Sequence, residues 1–165
     1  MDPFFVWLES TAFSTWVRES PSLFAFPAML ICHTVGMGLL AGMNAALDLC
    51  ILGVAPGVRL AQMRRFFPFL WLGFCLNASS GLALLMAYPT KALTNPVFYL
   101  KLVLISVALA ILRIVSRDVI GNSQPEHALP AKARRLAVAS LACWTLAITA
   151  GRLLAYTYTR LTAIR

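Results

Sequence analysis

The stretch Leu23 to Asp48, LFAFPAMLICHTVGMGLLAGMNAALD, constrains this chain more than any other. Coiled as a helix at about 1.5 Å per residue, it is long enough to cross the ~30 Å hydrocarbon core of a bilayer. It nevertheless carries a histidine, His33, close to its middle. Three later segments are as apolar, so spans are predicted at about 23–47, 66–88, 97–116 and 136–156. None alternates apolar and polar residues as a membrane β-strand does, which leaves helices. Composition agrees: 60% hydrophobic and 12% charged residues leave too little polar surface to cover a water-soluble globule of 165 residues. The expectation is an all-α protein, an integral membrane four-helix bundle forming a single domain over 1–165.

Ahead of the first span, residues 3–18 mix Phe4, Val6, Trp7, Leu8, Phe13, Trp16 and Val17 with acids and hydroxyls. The stretch is too short and too polar to span, and reads as an amphipathic helix lying in the interface, with Trp7 and Trp16 at headgroup depth. Ser20-Pro21-Ser22 reads as a turn whose serines cap and whose proline starts the next helix. The opening MDPFF, with Glu9 before any Lys or Arg, lacks the basic start of a cleavable signal, so the first span is expected to persist.

The net charge of +8 invites a nucleic-acid reading. The basic residues lie mainly between the spans, which is instead the pattern of membrane topology and anionic headgroups, and no nucleic-acid partner is expected. Eight of the fourteen Lys and Arg sit in the loops around 49–65 and 113–135, against six on the other side, of which Lys101 and Arg152 fall within spans. The bias puts the two basic loops in the cytoplasm and both termini in the periplasm of a bacterial inner membrane. Cys32, Cys50, Cys75 and Cys143 lie in or beside apolar segments without a C-x-x-C pair, and read as small apolar residues.

Two faces of the first span stand out. Thr34, Gly38, Gly42 and Ala46 recur every four residues, a small-residue stripe that lets a second helix approach closely. Met29, His33, Met37 and Asn44 share a second face, with Asp48 near its edge. In an antiparallel bundle His33 and Asn77 reach similar depth, while Lys101 and Arg152 enter from the same outer side, nearer the surface. An intramembrane charge is expensive, about 2.5–3.5 kcal/mol at the midplane on insertion scales, so such residues pair or bind something. Each has a plain alternative. Lys101 and Arg152 are near enough to the interface to snorkel. The imidazole of His33 can be neutral and bonded to Asn77, Ser80 or a backbone carbonyl. Otherwise His33 is a ligand to copper or haem iron, with Met29 or Met37 as a second, soft ligand, or it is a proton carrier. Asn77, Ser79 and Ser80 read as hydrogen-bond glue between helices, and His127 as a solvated loop residue. No P-loop, G-x-G-x-x-G, H-E-x-x-H or intramembrane carboxylate pair is present, so hydrolysis and phosphoryl transfer have no footing here.

The motifs Glu19-Ser20, His33-x-x-Gly36, Asp48-Leu49-x-x-Leu52-Gly53, Asn95-Pro96-x-Phe98-x-x-Lys101 and Gly151-Arg152-x-x-Ala155-Tyr156 together span nearly the whole chain. In them the sequence resembles a family of small four-span bacterial membrane proteins, with Cys50 where that family usually carries Arg. An early-span His with a later-span Lys is also similar, more distantly, to the copper-resistance D proteins and the haem-binding membrane protoporphyrinogen oxidases. That likeness implies haem b or copper, with His33 as metal ligand and Met29, Met37, Asn77, Lys101 and Arg152 around the cofactor. Two functions stay open: a membrane redox protein binding haem or copper, and a non-catalytic subunit or scaffold that docks through the small-residue stripe, as a homo-oligomer or within a larger complex.

Overall fold

The computed structural model describes residues 3–54, 58, 60–117 and 131–162, with the side chains of Ala61, Ala155 and residues 157–162 excepted. His127 lies outside the described residues. Those described are helical and contain no strand: α1 (Pro3–Glu9), α2 (Ala12–Glu19), α3 (Phe26–Leu52), α4 (Leu60–Met63), a 3-10 turn Arg64–Phe66, α5 (Phe67–Ala87), α6 (Pro89–Leu93), α7 (Pro96–Val115) and α8 (Ala131–Thr162). Four helices are long and apolar enough to cross a membrane, within Phe26–Leu52, Arg64–Ala87, Pro96–Val115 and Ala131–Leu154.

The helix ends follow from local chemistry. Pro21 does not open α3: the Ser20 and Ser22 hydroxyls accept from the backbone N–H of Ser22 and Phe24, both at 3.2 Å, and hold a turn instead. The helix begins at Phe26 with Pro27 in its first turn, where a missing N–H costs nothing. It runs past Asp48 to Leu52 and stops at Gly53, whose φ of 80° is the left-handed conformation that glycine adopts without strain. There the N–H groups of Gly53 and Val54 close on the carbonyls of Cys50 and Leu49, both at 3.1 Å. Asn95 starts α7 by accepting from the N–H of Val97 at 3.0 Å, with Pro96 as the first helical residue. α8 begins at Ala131, so Lys132, Arg134 and Arg135 stand on helix rather than in a loop.

The segment 3–18 divides into two helices. Thr11 takes an extended conformation and caps α2, its hydroxyl accepting from the N–H of Ser14 at 3.3 Å. Val17 and Ser14 are fully buried, and the Ser14 hydroxyl lies 2.8 Å from the carbonyls of both Leu8 and Met86. Arg18 donates to the carbonyls of Glu9 at 2.8 Å and Ala87 at 3.4 Å, while the Glu9 carboxylate accepts from the N–H of Thr90. This pair of helices is thus tied to the end of α5 and the start of α6. Phe4, Trp7 and Trp16 stay exposed.

α3 is the central span, with 39% of its most apolar window buried against 22% for α5, 17% for α7 and 28% for α8. It packs on α5 at one side and α8 at the other, and α7 packs on α8. α5 and α7 share no comparable contact, so the spans form a row, α5–α3–α8–α7, curled but not closed between its outer members. α3 and α5 touch backbone to backbone. A Cβ on Gly36 would stand 2.5 Å from the Asn77 nitrogen, and one on Gly73 would stand 2.8 Å from the Leu40 nitrogen. The stripe read from the sequence is not this contact: Gly38 and Gly42 are exposed, with open space where a Cβ would go. The apolar core gathers at the end bearing the basic residues, from Leu40, Leu47, Ile51, Leu70, Leu112, Val115, Ala137 and Trp144.

Candidate functional site

At the other end of the row, four spans meet around His33. The close contact at Gly36 carries the α5 backbone to the ring one turn earlier in α3. The Asn77 carbonyl lies 3.1 Å from His33 Nδ1 and the Ser80 hydroxyl 3.3 Å from it. The Asn77 amide donates to the His33 carbonyl at 2.9 Å, so one side chain clamps the backbone of the residue whose ring its own carbonyl receives. Gly81 completes the wall, since a Cβ there would lie 3.2 Å from Cε1 of the ring. On the opposite edge Lys101 Nζ stands 3.4 Å from Nε2. Its stem passes Gly151 of α8, where a Cβ would come within 3.6 Å of Nζ.

The Asn77 carbonyl at 3.1 Å only accepts, which assigns the proton to Nδ1, although the Asn77 amide nitrogen also lies 3.4 Å from that atom; with the proton there, Nε2 presents its lone pair to Lys101. The result is a neutral imidazole with a tethered Nδ1–H and one basic atom aimed at a cation. His33 and Lys101 are both half-buried, and no carboxylate stands within ion-pair distance of Lys101 among the described residues. The pair therefore suits a Lewis acid at Nε2 and an anion at Nζ.

Of the residues expected around a cofactor, the structure brings His33, Asn77 and Lys101 together. Lys101 does not snorkel: its head turns to the ring. Arg152, beside Gly151, is exposed and is not brought to the ring. Met37 packs against the apolar core, the usual use of a methionine at helical spacing. Met29, one turn before His33, is half-buried. No three His, Cys, Asp or Glu side chains gather at one point among the described residues. Ser80 bonds across to the ring of α3, whereas the parts played by Gly81 and Gly73 carry no sequence signal. Gly36 leaves room for the Asn77 backbone, whereas a Cβ on Gly151 would meet the Lys101 side chain at ordinary van der Waals distance.

Four helices long and apolar enough to cross a membrane, with polar side chains gathered between them at His33, are the class that the fold defines. No protein-family model, curated protein or solved structure matches the chain.

Proposed function

We propose that the chain is a four-span protein of a bacterial inner membrane whose His33–Lys101 centre binds haem for membrane redox chemistry. Residence in the bilayer is supported by the four long apolar helices and by the large apolar side chains they leave uncovered, Ile31, Leu72, Leu82, Leu100 and Val103 among them. In this reading α1 and α2 lie in the outer interface with Trp7 and Trp16 among headgroups, the basic loops face the cytoplasm, and both termini are periplasmic.

The observation that carries the haem reading is the state of the imidazole. A ligating histidine ordinarily donates its second ring N–H to a carbonyl, which orients the ring and raises its basicity, and His33 Nδ1 has that partner in Asn77. His33 would hold the iron through Nε2, and Lys101 and Arg152 would hold the anionic groups of the cofactor. Haem iron supplies one-electron chemistry when bound. Copper is the weaker choice, because Met37 is committed to the core. The likeness to haem-binding membrane oxidases points the same way.

The test is a visible spectrum with metal analysis on protein purified in detergent from haem-replete cells. A Soret band with near-stoichiometric iron, both lost in His33→Ala, is expected. A colourless parent protein ends the reading, and stoichiometric copper without haem replaces it by the copper one.

A second reading, a membrane subunit or scaffold, is favoured by Gly38 and Gly42, whose faces are open and unused within the chain. Replacing both by Ile should shift the protein to a smaller species on native gels, and unchanged assembly removes this reading.

A further inference from the structure

About 16 Å further along α3 lies a second polar group that the His33 centre does not use. Asn44 is fully buried; its amide nitrogen donates to Asp48 Oδ2 at 3.0 Å and to the Ser140 hydroxyl of α8 at 2.7 Å, while its Oδ1 has no partner. Asp48 is 2% exposed and Ser140 fully buried, and the Ser140 hydroxyl bonds the carboxylate as well. Among the described residues no Lys or Arg stands within ion-pair distance of Asp48. A carboxylate closed into an apolar core with no counter-charge is strongly unfavourable, and so is an amide oxygen left without a donor.

We propose that Asp48, Asn44 and Ser140 form a binding site for a small monovalent cation, sodium in the first instance. A half-turn of the Asn44 amide about its last torsion exchanges Oδ1 with the nitrogen, an interchange between two groups of nearly the same shape that turns the NH2 donors to the side where Oδ1 now has no partner. Oδ1 then faces the Asp48 carboxylate and the Ser140 hydroxyl at the present 2.7–3.0 Å spacings. Three oxygens, one of them charged, converge on one point, which is the donor set of a hard cation. Only a slight spreading of hydrogen-bonded spacings is needed to admit the ion, and the flanking Leu47, Ile51 and Ala137 are tightly buried, which favours a small one. One negative charge calls for one positive charge: a divalent ion would leave a net charge in the core. Entry is short, because Asp48 lies one turn from the end of α3 at Leu52.

The test uses the full-length chain in detergent at pH 8, with NaCl, KCl or choline chloride at constant ionic strength. Sodium should raise the thermal midpoint saturably by several degrees, potassium less, and choline not at all. Asp48→Asn, close to isosteric, should lose the sodium increment, and Ser140→Ala should raise the half-saturating concentration severalfold. No sodium-specific shift in the parent overturns the site and leaves a proton as the neutralising partner of Asp48; an equal shift in Asp48→Asn reduces the effect to general salt and also overturns it. Sodium-23 line broadening on the parent protein, competed away by lithium, is expected whether or not the variants fold, and its absence overturns the proposal.

Discussion

Asn44 and His33 lie eleven residues apart on α3, within about 20° of the same face, yet meet different surroundings. Around Asn44 the helices close: Leu40, Leu47 and Ile51 are almost wholly buried, and α7 contributes Ala108, Ile111, Leu112 and Val115 to the same core. Around His33 they part. The same α7, earlier in its course, exposes Tyr99, Leu100, Val103 and Val107, and reaches α3 chiefly through the Lys101 side chain. The two ends thus solve opposite problems. One bonds most of its polar atoms inside a sealed core and leaves the Asn44 amide oxygen and the Trp144 indole N–H over. The other sets a lysine and a histidine between α5 and α7, which do not pack on each other. A large ligand can enter only where packing is least, at the end bearing His33, whereas the closed end has room for no more than a small ion.

The comparison breaks most easily at the glycines. Gly36→Val should be the most damaging change, because a Cβ already stands 2.5 Å from the Asn77 backbone nitrogen and neither helix can yield without separating. Gly38→Val, two residues on, meets open space and should leave the detergent-solubilised monomer as stable as its parent. Thermal unfolding of both variants decides this. Equal loss in the two would mean that α3 is rotated from its described face and that the closed and open surfaces are wrongly assigned.

Next in size are the leucines. Leu47→Ala empties space in the sealed half and should cost about 2–5 kcal/mol, the range for large-to-small core changes. Leu100→Ala removes a side chain that is 54% exposed, in the open half, and should cost much less, because no cavity forms where lipid or detergent already lies. Denaturant titrations in one detergent give both values. Comparable losses would show that the open half is packed by something in solution, a second copy first of all.

The sequence displays the four spans plainly because hydropathy over some twenty residues is a bulk property that neighbours cannot override. Their ends shift because caps decide them: Pro27 rather than Pro21 opens α3, and Gly53 lets it outrun Asp48 by a turn. The meeting of His33 with Asn77 is legible from depth, since antiparallel helices bring equal depths together; Lys101, read as nearer the surface, reaches the ring through the length of its side chain. Which small residues make the contact is not legible. Gly36 with Gly73 and Gly38 with Gly42 are equally plausible on paper, and only the rotation of α3 against α5, set by the whole interface, chooses between them. Ser140 is obscure for a similar reason: in a helix rich in small residues nothing marks the one serine that faces Asn44.

The smallest effects sharpen the comparison furthest, because the same chemistry caps helices at both ends. Gly53→Ala forces a Cβ into a left-handed conformation at the end of α3 nearest the sealed core, and Asn95→Ala removes the cap of α7 at the open end. Each should cost about 1 kcal/mol. The site of the loss should differ. The first turn of α7 has few buried neighbours, so it can open by itself, and Asn95→Ala should speed amide exchange at residues 97–100 with a small change in the global midpoint. The end of α3 is held by Leu47 and Ile51, so it opens only with the whole core, and Gly53→Ala should lower the midpoint and speed exchange throughout α3 together. Amide exchange read by mass spectrometry separates the two patterns. If Asn95→Ala instead loosens every span at once, the end that carries His33 and Lys101 is coupled to the core as tightly as Asn44 is, and the open end is not a separately mobile region at all.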